Sequence, residues 1–78
     1  MEKMTYNEYL IKELKDYLPG NNFTEDLKKV YEYMQAFYNL DSKEMKKQYI
    51  YLWNCYFDDK EIFKNEVEKI KRFVKSRS

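Results

Sequence analysis

Residues 48–57 read QYIYLWNCYF, the longest nearly uncharged run in this 78-residue chain. Coiled as a helix, this run presents large side chains in almost every direction, and a helix of that kind is usually the central one in a small domain. The same residues are good strand formers, so a β-strand over 49–57 is the competing interpretation. Because no second strand-like segment is present to pair with it, we expect a helix at about 42–56, central in the domain. Its expected core stripe consists of Met45, Tyr49, Leu52, Trp53 and Tyr56.

Signals for helix starts lie on both sides of this run and further out. In a capping box, Ser, Thr, Asp or Asn is followed three residues later by Glu or Gln, and the side chains satisfy free backbone N–H groups. Such boxes precede apolar-periodic segments at Thr5/Glu8, Asn22/Glu25, Asp41/Glu44 and Asp58/Glu61. A fifth match, Asn65/Glu68, falls inside a predicted helix. The spacing of 17 to 19 residues between boxes predicts four helices.

Apolar periodicity gives the extent of the other three helices. We expect them at about 6–18, 24–39 and 59–75. The breaker pair Pro19-Gly20 ends the first of them. The sequence thus predicts an all-α fold, a small bundle of about four short helices. We assign residues 1–78 to a single domain with a basic C-terminal end at 69–78.

Charge and residue content exclude several classes of protein. Fifteen Lys and Arg against fourteen Asp and Glu give a net charge of +1, which is typical of neither a polybasic tail nor an acidic mimic. The chain has no His, the commonest general base and metal ligand, and its single Cys excludes an internal disulfide. Cys55 lies among aromatic residues, so we expect a small buried side chain rather than a reactive thiol. We expect no enzyme, no metal and no cofactor.

The acidic run around 58–61 and the N-terminus complete this picture. Carboxylates at 58, 59 and 61 are expected to serve a helix start rather than a cation. The first residues, MEKMTYNEYLIKEL, contain no apolar signal segment, and the uncharged run is half of the roughly 20 residues that span a bilayer. We therefore expect a cytoplasmic protein that does not use a membrane as its partner, and a lone Cys agrees with a reducing compartment.

Aromatic residues make up 19% of the chain, and nine of them are Tyr. A core of large residues, a tyrosine-rich binding surface and AT-rich coding sequence are three possible causes. Exposed Tyr next to Lys is typical of protein-interface hot spots. Tyrosines off the predicted core stripes, together with one lysine beside them, are the predicted partner-binding residues: Tyr9, Tyr33, Lys47 and Tyr51. Their partner would be another protein or a second copy of this chain.

The size and composition favour an accessory protein of a bacterium, plasmid or phage. On this hypothesis the chain is an adaptor, inhibitor or regulator, for example one that blocks a host or defence enzyme. The alternative is a nucleic-acid-binding regulator that uses the basic face of helix 4, since such a stripe neutralises phosphates. The residues of that face and tail are Lys60, Lys64, Lys71, Arg72, Lys75 and Arg77. Lysines and arginines near a helix C-terminus also complement the helix dipole, so they do not require a nucleic-acid partner. We therefore prefer protein binding.

Overall fold

The computed structural model describes residues 4–77, which form four α-helices in the predicted order. They are α1 (Tyr6–Leu14), α2 (Phe23–Tyr38), α3 (Ser42–Asp58) and α4 (Lys60–Arg77). A 3₁₀ turn over Lys15–Tyr17 continues α1. The described residues contain no strand, and 49–57 is helical throughout. The all-α prediction is confirmed. No helix within 4–77 is both long and apolar enough to cross a membrane.

Three of the four predicted capping boxes start helices as expected. The capping oxygens of Thr5, Asn22 and Asp41 accept hydrogen bonds from the backbone N–H groups three residues later, at 3.2, 3.3 and 2.9 Å. The fourth start is one residue later than predicted, because α3 continues through Asp58. Asp59 fills the capping position of α4 instead, and its Oδ1 accepts a hydrogen bond from the Ile62 N–H at 3.3 Å. A single residue therefore separates α3 from α4.

The central helix is α4, which corrects the expectation that helix 3 is central. α4 packs against α1, α2 and α3, and it buries four side chains, namely Phe63, Val67, Ile70 and Val74. α3 buries only Leu52 and Cys55. α1 and α2 pack on each other and on α4, whereas α3 packs mainly on α4. The bundle therefore covers α3 on one side. Cys55 is buried, as predicted.

Aromatic rings and one amide fix α3 against the start of α1. The Tyr6 ring is 4% exposed and lies 5.2–5.7 Å from the rings of Tyr49, Tyr56 and Phe63. Burial raises the pKa of the Tyr6 hydroxyl. The Asn7 side-chain oxygen accepts hydrogen bonds from the hydroxyls of Tyr31 at 3.0 Å and Tyr49 at 2.8 Å. These contacts join α1, α2 and α3 and set which side of α3 faces outward.

Candidate protein-binding surface

One side of α3 carries large apolar residues that the bundle leaves uncovered. Ile50, Trp53 and Phe57 follow one another at spacings of three and four residues, which places them on one helical face. Their exposed fractions are 47%, 45% and 61%. We call these three residues the α3 outer face. Contiguous exposed apolar side chains are typical of an interaction site in a small protein.

The indole of Trp53 is held in place from below. It stacks on the buried Tyr6 ring at 6.3 Å between centroids and 19° between planes. On its other flank it lies 6.2 Å from the Phe57 ring, which in turn contacts Tyr56 at 4.9 Å. The Tyr56 hydroxyl donates to the Met4 carbonyl oxygen at 3.2 Å. The Trp53 and Phe57 rings are therefore each supported by neighbouring rings, and side chains held in this way lose less entropy when they are immobilised.

The lysines of α3 precede its apolar stripe and its aspartate follows it, although Asp41 caps the helix and Glu44 lies in its first turn. Its first six residues hold three lysines and one glutamate, whereas its last residue and the next are Asp58 and Asp59. A helix favours acids at its N-terminus and bases at its C-terminus, by about 0.3–1 kcal/mol per charge. Within residues 4–77, no salt bridge involves the three lysines (Lys43, Lys46, Lys47) or the two aspartates. Asp41 and Glu44 suit the N-terminal end of the dipole, and Asp59 caps α4. Only Lys43 and Asp58, in the first and last turns of α3, are therefore placed against the dipole.

Two of the predicted partner-binding residues border the α3 outer face. Lys47 and Tyr51 are one turn apart on α3, and both are exposed. Tyr51 lies beside Cys55, whose thiol raises the pKa of the Tyr51 hydroxyl. These two residues supply a charged group and an aromatic hydroxyl at the edge of the apolar stripe, the composition of an interface rim.

The other two predicted residues lie on other helices and pack within the bundle. The half-buried Tyr9 ring contacts Tyr56 at 5.3 Å and Phe63 at 5.4 Å, and burial raises the pKa of its hydroxyl. The Tyr33 hydroxyl donates to the Tyr17 carbonyl oxygen at 3.2 Å. Tyr9 and Tyr33 thus lie apart from the α3 residues Lys47 and Tyr51. The predicted set is divided, and the partner-binding role of its members stays a prediction.

Acidic residues interrupt the basic face predicted on helix 4. The Lys71 ammonium pairs with Glu13 at 2.7 Å and with Glu68 at 3.3 Å. The hydrogen bond from Lys71 lowers the pKa of Glu13, and Glu13 raises the pKa of Lys71. The Arg77 guanidinium lies 5.1 Å from the centre of the Phe73 ring. The remaining members are exposed on α4: Lys60, Lys64, Arg72 and Lys75. Part of the positive charge is therefore compensated within the bundle.

Sequence reasoning placed Trp53 on the core stripe of helix 3 and treated Asp58 as a helix cap. Periodicity alone favours that position for Trp53, because Leu52 and Trp53 are adjacent and only the tertiary packing decides which of them faces inward. Asp58 is instead the exposed last residue of α3. The separation of Lys46 and Lys47 from Asp58 along α3 is visible in the sequence.

The described residues form shallow grooves between the helices. One of them lies between α2 and α3, has a volume of about 340 Å³, and is lined by Tyr31, Gln35, Ser42, Met45, Lys46 and Tyr49. Within 4–77 there is no group of three or more His, Cys, Asp or Glu placed to hold a metal ion. No protein-family model, curated protein or solved structure matches this chain.

Proposed function

We propose that this chain is a small, non-enzymatic, cytoplasmic protein-binding module whose partner docks on the α3 outer face. The observation that carries the proposal is the contiguous exposure of Ile50, Trp53 and Phe57, with Trp53 held on Tyr6. Each square ångström of apolar surface removed from water is worth about 25 cal/mol. A partner that covers this face gains that free energy without first having to order the rings.

The surroundings of the α3 outer face fit the usual anatomy of an interface. Interface centres are rich in aromatic residues and poor in charge, whereas the rim is polar and remains in contact with water. Here Trp53 and Phe57 form the centre, and Lys47 and Tyr51 belong to the rim. An adaptor, inhibitor or regulator would use such a surface in the same way, since each acts by binding to another protein.

Nucleic-acid binding by α4 is the weaker candidate. A phosphate backbone needs a row of uncompensated positive charges. Lys71, near the middle of the basic face, is already bonded to Glu13 and Glu68. Glu68 is exposed beside it and would repel a phosphate. The exposed rings of α3 have no role in this alternative.

Affinity capture from the native host, with matched variants, tests the proposal. We expect Trp53→Ala with Phe57→Ala to weaken retention of the captured protein about 30-fold or more, as removal of hot-spot residues does. Phe23→Ala is the control, because Phe23 is equally exposed but begins α2 and lies outside the α3 outer face. Retention should be unchanged in that variant.

Two results would decide against protein binding by α3. Equal retention by the wild type and the Trp53/Phe57 variant would overturn the proposal. Capture of nucleic acid that is lost at high salt, and abolished by Lys71→Glu with Lys75→Glu, would favour the alternative.

A further inference from the structure

We infer that the partner of the α3 outer face is a second copy of this chain, docked antiparallel about a two-fold axis that passes between the two α3 helices near residue 52. This inference rests on the proposed function and names the occupant of that surface. A two-fold interface requires a surface that is complementary to itself, so that each contact occurs twice. Two neighbouring stripes of exposed residues on α3 have this property.

The first stripe consists of Lys46, Ile50, Trp53 and Phe57, spaced by four, three and four residues and all exposed. In an antiparallel pair, Ile50 of one copy lies opposite Trp53 of the other, which covers both apolar side chains. Lys46 then lies opposite the second copy's Phe57, where an ammonium over an aromatic face is attractive. The stripe is therefore its own complement when it is reversed.

The second stripe runs beside the first and consists of Lys47, Tyr51, Asn54 and Asp58, with the same spacing and again all exposed. Reversal places Lys47 opposite the second copy's Asp58, at both ends of the interface. Tyr51 then lies opposite Asn54, which is a hydroxyl facing an amide. Within residues 4–77, neither Lys47 nor Asp58 makes a salt bridge, so both charges are available.

The antiparallel arrangement also brings opposite charges together at the two ends of α3. It brings the lysines at the start of one α3 to the C-terminal end of the other, where the helix dipole favours positive charge. Asp58 likewise meets the N-terminal half of the second α3. A parallel pair would instead place lysine on lysine and aspartate on aspartate, which is repulsive. The seventeen residues of α3, about 25 Å long, give both ends room to pair.

Charge exchange between the two ends of α3 tests the inference by sedimentation equilibrium. The wild type should sediment as twice the 9.8 kDa chain. Lys47→Glu and Asp58→Lys should each weaken the dimer roughly 10- to 100-fold, because two attractive pairs become two repulsive ones. An equimolar mixture of the two variants should restore a dimer that contains one copy of each.

The double variant Lys47→Glu/Asp58→Lys exchanges the two charges within one chain. It should form a dimer by itself, since the glutamate introduced at position 47 would then face the lysine introduced at position 58 of the second copy. In a parallel pair, like charges would face each other in the wild type and in all three variants, so neither single variant would weaken the dimer. Lys28→Glu, an exposed change on α2, is the control and should not alter the dimer. Emission of Trp53, the single Trp of the chain, should shift to shorter wavelength as the dimer forms.

The results distinguish this inference from the proposed function. A monomeric wild type, with a captured host protein still lost on Trp53→Ala with Phe57→Ala, would overturn self-association and support the docking surface. A dimer that is unaffected by every α3 variant would overturn the inference and place the interface elsewhere. Weakening of the dimer by each single variant, with restoration in the mixture and in the double variant, would establish the antiparallel pair.

Discussion

Helices α3 and α4 are nearly equal in length and adjacent in the chain, yet they differ in burial and in the charge of their C-terminal ends. α4 buries four side chains and carries Glu61 in its first turn and Lys75 and Arg77 in its last, as its dipole favours. α3 buries two side chains, and although Glu44 lies in its first turn, its last turn holds no base and ends at Asp58. The difference shows that the bundle covers α4, whereas it leaves one side of α3 exposed.

Phe63 on α4 is buried and Phe57 on α3 is exposed, so the same substitution at the two positions gives the largest expected difference in stability. Phe63→Ala on α4 removes a ring that is 1% exposed, so we expect a loss of about 3–5 kcal/mol in the free energy of unfolding. Phe57→Ala on α3 removes a ring already in water and should change it by about 0.5 kcal/mol or less. Urea denaturation followed by circular dichroism, at dilute chain concentration, measures both. Similar losses would contradict the assignment of Phe57 to an outer surface.

Lysines on the two helices give a second, smaller contrast. Lys71→Met on α4 removes the partner of Glu13, and we expect about 1 kcal/mol lower stability because the pair is partly shielded from water. Lys47→Met on α3 removes a charge with no salt bridge in the described residues and should leave the stability of the monomer unchanged. The same denaturation experiment compares them. If Lys47→Met cost as much as Lys71→Met, Lys47 would have a structural role in the monomer.

The pH dependence of the Glu13–Lys71 pair follows from its two pKa shifts. Because the pKa of Glu13 is lowered by folding, the contribution of Glu13 is fully present above the unfolded value near 4.3 and disappears as the pH falls through the folded pKa. The pKa of Lys71 is raised, so its contribution is present below about 10.4 and is lost as the pH rises through the folded pKa. The stability difference between wild type and Lys71→Met should therefore be greatest near neutral pH.

Charge-reversal substitutions at the helix ends should change the stability of the protein in opposite directions on α3 and α4. Lys43→Glu places an acid in the first turn of α3 and one turn before Lys47, so we expect stabilisation by about 0.5 kcal/mol. Lys75→Glu places an acid in the last turn of α4 and should destabilise by a similar amount. Melting temperatures should shift by about 2–4 °C in opposite directions. A lower melting temperature for Lys43→Glu would mean that the lysines of α3 stabilise the single chain.

Local signals in the sequence predicted the helices and most of their starts. Thr5, Asn22 and Asp41 act through hydrogen bonds to residues three positions away, so no distant part of the chain is needed to recognise them. The start of α4 was misplaced by one residue because Asp58 and Asp59 are equivalent as caps. Only the end of α3 decides between them.

The candidate surface was less predictable because exposure is a property of the packed bundle. Lys47 and Tyr51 were identified as lying off the core stripe, and the structure places them beside the α3 outer face. Trp53 was assigned to the core, since an aromatic residue next to Leu52 has no local feature that keeps it outside. Tyr6 supplies that feature from α1 by occupying the space beneath the indole.

The amino-acid sequence by itself determined that the chain is helical, where the caps lie and how charge is ordered along α3. These are properties of residues within one or two turns of each other, and short-range hydrogen bonds and periodicity define them. Only the tertiary structure decided that α4 occupies the centre and that α3 leaves Ile50, Trp53 and Phe57 uncovered. The physical reason is that a bundle of this size has too few helices to bury every apolar face. One apolar face, on α3, therefore remains exposed to solvent.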